Sequence, residues 1–239
     1  MAILSGIHPV AEALRSGRAL DRVLVAKGAG GPRLQEIIDL ARRASVPVRF
    51  ETRGALDRLA GTPAHQGVVA MGAAQKYADL DHAAEARLVV VLDGVEDPHN
   101  LGAIIRTAHA AGAGSVIIPE RRAASVTDVV AKAAAGALEH LPVARVTNVN
   151  RTLEELKERG FWIYGLDERG DQDYDAVDYG EPAAIVLGGE GHGLHEQVRK
   201  HCDALVRIPM AGKIASLNVS VAAGIVLFEW KRRQSRRSD

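Results

Sequence analysis

Five consecutive apolar residues, Leu88-Val89-Val90-Val91-Leu92, run without a break into Asp93-Gly94. A strand with one wet face alternates polar and apolar side chains, so an unbroken run ending in a turn signal fits a parallel strand buried on both faces. A helical stretch from Leu101 to Ala111 follows. Further strands are expected near Val116 to Ile118, Val143 to Val146, Trp162 to Leu166 and Ala184 to Leu187, separated by helical stretches. That alternation specifies a doubly wound α/β sheet. The last helix should run from about Asn218 to Lys231, where Val219, Ala222, Val226 and Trp230 recur at helical intervals.

The earlier part of the chain alternates on a smaller scale. Pro9 to Leu14, Pro32 to Ala44 and Ala55 to Leu59 read as helices, and Arg22 to Ala26, Val46 to Phe50 and Gly67 to Met71 as strands. This is too small for most catalytic folds and reads as a binding module. Weak periodicity places a linker at 75–86, between a first domain at 1–74 and a second at 87–239. Charge divides along a similar line. Formal net charge is zero, yet residues 1–76 carry 11 Lys and Arg against 6 Asp and Glu, a formal +5, and residues 77–239 carry −5. A basic appended domain is what phosphate-backbone binding requires, although an ordinary solvated surface gives the same balance. The acidic excess of the larger part confines any nucleic-acid contact there to local patches.

Several classes are set aside. No run approaches about 18 consecutive apolar residues, and Met-Ala-Ile-Leu-Ser-Gly lacks the basic stretch and apolar core of a signal peptide, so a cytoplasmic protein without a membrane partner is expected. The single cysteine, Cys202, forms no intrachain disulfide and reads as a buried structural thiol. Asp93, Glu96 and Asp97 read as a solvated strand-end loop, and the histidines, including His192 and His195, form no recognisable ligand set. No metal is expected.

The most distinctive local feature is Gly188-Gly189-Glu190-Gly191-His192-Gly193, after a strand and before the helical stretch Leu194 to Lys200. Its spacing fails the dinucleotide fingerprint, and no Lys follows Gly193 as a P-loop demands. Alone it would be a turn. It stands, however, between two other segments, Leu92 to Ala108 (Leu-Asp-Gly-Val-Glu-Asp-Pro-His-Asn-Leu-Gly-Ala-Ile-Ile-Arg-Thr-Ala) and Ile208 to Ala222 (Ile-Pro-Met-Ala-Gly-Lys-Ile-Ala-Ser-Leu-Asn-Val-Ser-Val-Ala). In kind, order and spacing the three together resemble the motifs of the SpoU/TrmH family of RNA 2′-O-methyltransferases, within the SPOUT superfamily, from about Leu88 to Trp230. The module in front is similar to the ribosomal-protein-like RNA-binding domain of bacterial 23S rRNA guanosine 2′-O-methyltransferases of the RlmB type.

The resemblance implies a C-terminal parallel-sheet domain with a deep trefoil knot, an exception to the unknotted rule. It implies S-adenosyl-L-methionine bound by Gly188, Gly189, Gly191 and Gly193, by the loop of Ile208 and Met210, and by Leu217. It implies homodimers, with the last helix (Val219, Val226, Phe228, Trp230) a candidate interface, though core packing explains the same pattern. The implied reaction is methyl transfer to a ribose 2′-hydroxyl of ribosomal RNA, on a guanosine; a tRNA ribose methyltransferase and a non-catalytic RNA-binding protein of the same fold are the alternatives.

Methyl transfer is an in-line displacement that must position a hydroxyl and handle its proton. On the helix Leu101 to Ala111 the apolar stripe is Leu101, Ile104, Ile105 and Ala108, and Arg106 shares the other face with Gly102, Ala103 and His109. By itself Arg106 is a solvated surface arginine; with the family motif it becomes the catalytic candidate. A guanidinium holds its proton too firmly for a general base, so the role that fits is to bind the neighbouring phosphate and stabilise charge at the hydroxyl oxygen. Asn100 serves either as helix N-cap or in substrate positioning. Glu190 could pair with Arg106 or accept from substrate. Ser216 and Asn218 flank Leu217 where capping is routine, and the resemblance assigns them to the target nucleotide. The tail Lys231, Arg232, Arg233, Arg236 and Arg237 reads as a disordered solvated end.

Overall fold

A computed structural model describes residues 2–73, 76–213 and 216–237. Backbone contacts divide the chain into two units, Met1–Lys76 with Val126–His140, and Tyr77–Ser125 with Leu141–Asp239.

The first unit begins with β1 (Ala2–Ser5), α1 (Ile7–Arg15), β2 (Leu20–Ala26), α2 (Pro32–Arg43), β3 (Val48–Glu51), α3 (Arg53–Ala60) and β4 (Val68–Gly72). Strand β1, four residues long and unremarked in the sequence, pairs antiparallel with β4 in a sheet of order β1-β4-β2-β3. Every residue of β4 is buried because both faces are covered. Val68 and Ala70 join Val10, Val23 and Ile37 in one core, and Val69 and Met71 join Leu24 and Leu56 in another. Pro32 suits the first turn of α2, where its missing N–H has no partner to lose, and Arg42 and Arg43 sit in the last turn, where the helix dipole favours cations. Thr52 caps α3, accepting from the Ala55 N–H at 3.3 Å.

The second unit opens with α4 (Leu80–Ala83), β5 (Leu88–Asp93), α5 (Pro98–Ala111) and β6 (Ser115–Pro119). The chain then supplies α6 (Asp128–Ala133) and a short 3-10 turn, Ala137–Glu139, to the first unit. There the Ile3 N–H donates to Asp128 at 3.3 Å, and Arg18 pairs with Glu139 at 2.6 Å with both side chains nearly buried. Back in the second unit come β7 (Val143–Val146), α7 (Val149–Glu158), β8 (Trp162–Leu166), β9 (Gln172–Asp173), β10 (Ala183–Gly188), α8 (Glu196–Lys200), β11 (Ala204–Arg207) and α9 (Val219–Arg237).

These strands form one parallel sheet of order β7-β6-β5-β10-β8-β11-β9. Its centre is the pair β5 and β10, in register from Leu88 opposite Ala183 to Asp93 opposite Gly188. All of β5 and all but the last residue of β10 are buried, which is why their sequences do not alternate. Burial of each such valine or leucine contributes about 1.5–3 kcal/mol.

Three expectations change. Residues 77–86, read as linker, belong to the second unit: Ala78 bridges Ala144, Asp79 caps α4, and the buried Ala83 accepts from the Ser115 hydroxyl at 2.8 Å. A four-residue helix is too short to show a period. On α5 the expected stripe is fully buried, but Gly102 is buried as well, leaving Arg106 and His109 exposed. The basic tail is helical, since α9 continues to Arg237 and Arg232 and Arg233 both pair with Glu229, at 2.6 and 2.7 Å. Hydrogen bonds from Arg232 hold that carboxyl below the usual range despite its burial. Among the described residues no helix is long and apolar enough to cross a membrane.

Candidate active site

Parallel sheets bind ligands beyond the carboxyl ends of their strands. Here the register of β5 with β10 brings Asp93-Gly94 beside Gly188-Gly189 at that end. The Gly189 N–H donates to the Asp93 carbonyl at 2.9 Å. A Cβ on Gly189 would lie 2.0 Å from the Gly94 carbonyl oxygen, and one on Gly188 would lie 2.1 Å from the Gly193 backbone, so the loops meet at a distance only glycine permits. The Gly193 N–H closes the turn on the Gly189 carbonyl at 3.2 Å, and Gly191 and Gly193 have φ of 85° and 63°, left-handed values that disfavour a side chain.

Asp93 is not a solvated loop residue. It is buried, accepting from the His195 N–H at 2.8 Å and hydrogen-bonded to His195 Nδ1 at 2.9 Å, which fastens the far leg of the glycine loop to β5. Asp167, at the end of β8, does the same on the other side. Its carboxylate accepts from Arg169 at 3.0 Å and Arg199 at 3.1 Å, and Arg199 also donates to the Leu194 carbonyl at 3.2 Å. Burial acts to raise the Asp167 carboxyl, but hydrogen bonds from Arg169 and the charges of Arg199 and Arg169 outweigh it and leave it below the ordinary aspartate value. Cys202 is half-buried, its thiol pushed up to about 12 by burial and donating to the Val198 carbonyl at 3.4 Å.

A cleft of about 580 Å³ opens between these loops and the start of α9. Gly188, Gly189, Gly191, Gly193, Ile208, Met210 and Leu217 all line it, as do Glu190, Ser216 and Asn218. Of the third motif, Ile208, Met210, Ser216 to Val219 and Ala222 thus border the cleft; Ile214 and Ala215 lie outside the described residues. Asn218 caps α9, its Oδ1 accepting from the Ser220 N–H at 2.9 Å, and its Nδ2 donates to Asn100 Oδ1 at 3.0 Å. Asn100 in turn donates to Glu190. The capping alternative for Asn100 is overturned, because Asp97 caps α5 by accepting from the His99 N–H at 2.8 Å and Asn100 lies inside the helix.

Arg106 stands apart from the other candidates. It is exposed on α5, does not line the cleft and pairs with nothing among the described residues, so the expected contact with Glu190 is not made. The sequence reading also passed over Leu166, Asp167, Glu168 and Arg169, which form one wall. A signal existed: Leu166-Asp167 repeats Leu92-Asp93, an acidic residue ending a buried strand.

The cleft suits S-adenosylmethionine. Its volume lies in the range of small-ligand sites. Met210 and Leu217 stay exposed at 39% each beside buried Leu187, an apolar surface that an adenine ring could cover, and the side-chain-free edge of Gly188 and Gly189 admits close backbone contacts.

A parallel sheet with its cleft at this end, bordered by loops of the motifs, has the arrangement of a small-ligand-binding α/β protein, and comparison with known proteins specifies which. Residues 87–228 match the SpoU rRNA methylase family, and residues 3–78 match the RNA 2′-O ribose methyltransferase substrate-binding domain. YacO of Bacillus subtilis, assigned to the TrmH family of tRNA/rRNA methyltransferases, is 46% identical over 237 residues, spanning 96% of this chain and 95% of its own. The AdoMet-bound SpoU methyltransferase AviRb from Streptomyces viridochromogenes superposes with a TM-score of 0.84 at 28% identity, covering 99% of this chain and 91% of that one. The AdoMet-bound rRNA methyltransferase from Sinorhizobium meliloti gives 0.81 at 28% identity, over 98% and 87%. The chain belongs to the SpoU rRNA methylase family. It is an S-adenosylmethionine-dependent RNA ribose 2′-O-methyltransferase of the TrmH/SpoU type, with an N-terminal unit for the RNA substrate.

Proposed function

We propose that this enzyme methylates the 2′-hydroxyl of a guanosine in 23S rRNA, as the RlmB-type enzymes do, and works as a homodimer. The observation that carries the chemistry is the chain of side chains Asn218, Asn100 and Glu190, which joins all three motifs at one edge of the cleft. Asn100 holds the Glu190 carboxylate in place, and Ser216 and Asn218 present polar atoms to the target nucleotide. The backbone of Gly188 to Gly193, with Ile208, Met210 and Leu217, would hold S-adenosylmethionine, which when bound would supply an electrophilic methyl group. Arg106, exposed and unpaired among the described residues, is available to the phosphate beside the ribose, where its fork stabilises charge on the hydroxyl oxygen as the proton departs to phosphate or water.

Ribosomal RNA is favoured because the likeness to the Sinorhizobium meliloti rRNA methyltransferase extends over both units. The first unit, basic overall, is the natural carrier of recognition. Two loops pressed backbone to backbone, Gly94 on Gly189, with the second also folded onto itself at Gly188 and Gly193, suit a chain threaded into the trefoil knot of the family. Dimerisation is supported by α9, whose Val221 and Phe228 are exposed at 52% and 47% beside its buried stripe. Light scattering at micromolar concentration should give twice the chain mass of 25.4 kDa, and a monomeric mass would remove the dimer from the proposal.

The substrate is tested by incubating the enzyme with labelled S-adenosylmethionine and unmodified total RNA, then mapping the labelled ribose. One labelled guanosine in 23S rRNA is the expected result. Label confined to tRNA would overturn the substrate while keeping the reaction; label on a base would overturn the ribose chemistry.

A further inference from the structure

The second unit is acidic overall and pairs most of its arginines internally. Arg87, Arg151, Arg159 and Arg207 each contact an acidic side chain, Arg169 and Arg199 share Asp167, and Arg232 and Arg233 share Glu229. Arg145 donates to the Glu120 carbonyl and lies over the Tyr77 ring. Among the described residues of this unit, the arginines left without such a partner are Arg106, Arg121, Arg122 and Arg236. Arg121 and Arg122 are adjacent and exposed, so their charges repel unless an anion lies between or beside them.

Their position is fixed by the site. They lie on the loop after β6, and two residues on the Ala124 N–H donates to the Val95 carbonyl at 2.9 Å, tying this loop to the one that carries the first motif. Val95 is 1% exposed and Ala124 9%, so the tie is interior while the arginines face solvent. The Arg122 carbonyl lies 4.0 Å from where a Cβ on Gly94 would be, and Gly94 in turn abuts Gly189. Three loops thus follow one another, Arg122, Gly94, Gly189, and the last continues into Glu190. Arg122 also holds φ at 54°, a left-handed value uncommon for a residue with a side chain. Neither arginine lines the cofactor cleft, so an anion held by them would lie outside it.

We infer that Arg121 and Arg122 bind phosphates of the RNA strand that carries the target ribose. A phosphodiester offers the paired oxygens that a guanidinium fork takes up, and successive phosphates suit successive arginines. The pair supplies the local cationic patch that an otherwise acidic catalytic unit needs to hold a polyanion at its cleft. This rests on the reading of the cleft as a ribose methyltransferase site.

The test uses the full chain, transcribed 23S rRNA and S-adenosylhomocysteine. Arg121→Ala/Arg122→Ala should raise the RNA concentration for half-saturation tenfold or more, leave the single-turnover rate at saturating RNA within about twofold, and leave S-adenosylhomocysteine affinity unchanged. The slope of log affinity against log salt should shrink by about 1.5, as expected for two phosphates. Arg121→Lys/Arg122→Lys should keep the slope and recover part of the affinity. Unchanged half-saturation and slope in the Ala pair would overturn the inference, as would a parallel loss of S-adenosylhomocysteine affinity, which would mark the loop as a strut of the cleft. If the wild type labels no ribose, the methyltransferase reading fails, and the salt slope measured by filter binding still decides whether these arginines hold phosphate.

Discussion

Arg106→Ala should lower single-turnover methylation by about a hundredfold or more, the scale of deleting a donor that stabilises developing negative charge, while leaving S-adenosylhomocysteine binding intact. The fold does not need this side chain. Leu101, Ile104, Ile105 and Ala108 anchor α5 in the interior, Arg106 is exposed, and alanine is the better helix former. Cofactor binding should be spared because Arg106 does not line the cleft. Arg106→Lys should rescue poorly, since lysine restores the charge without the planar two-pronged geometry. Single-turnover kinetics beside calorimetric binding separate these outcomes. Near-normal turnover in the Ala variant would take Arg106 out of the chemistry; normal turnover in the Lys variant alone would leave a point-charge role.

Gly189→Ala should weaken S-adenosylhomocysteine binding at least tenfold and lower stability by about 1–3 kcal/mol, the usual cost of forcing atoms into a packed interior. The added methyl would meet the Gly94 carbonyl oxygen at 2.0 Å, so the two loops must part, and the Asp93 carbonyl to Gly189 N–H bond goes with them. Gly191→Ala provides the contrast. Nothing among the described residues lies within 4 Å of its Cβ position, and its cost is that of the left-handed backbone at φ 85°, about 1–2 kcal/mol. Calorimetric titration with urea denaturation reads both quantities. Wild-type affinity in Gly189→Ala would mean that the contact between the loops does not shape the cofactor cleft.

Much of this fold is legible because a strand buried on both faces has no reason to alternate. Leu88 to Leu92 and Ala184 to Leu187 announce a parallel sheet, and β7 and β8 fall on the expected residues. What escapes is short or paired only at a distance: β9 has two residues, too few to carry a period, and β1, as long as the legible β7, takes its place only by pairing with the distant β4. The candidate site divides the same way. Glycines and polar residues in three motifs mark the loops, and all but Asn100 and Arg106 among the candidates line one cleft. Asp93 misled because a carboxylate beside a turn reads as solvated, and Asp167 drew no notice; only the tertiary structure supplies their partners His195, Arg169 and Arg199. The helical tail escaped for a related reason: a run of arginines looks unstructured until Glu229, a turn earlier, is seen to bind two of them.

The excursion of residues 126 to 140 into the first unit bears on the order in which a ribosome delivers the chain. All four strands of the small sheet have been synthesised by Gly72, yet the carboxylate that neutralises Arg18 is Glu139, and the one that takes the Ile3 N–H is Asp128. A nascent unit therefore waits through β5, α5 and β6 before its inner cation is matched. The first strand of the large sheet has left the synthesis machinery before the small unit is finished, so the two units mature on overlapping schedules rather than one after the other.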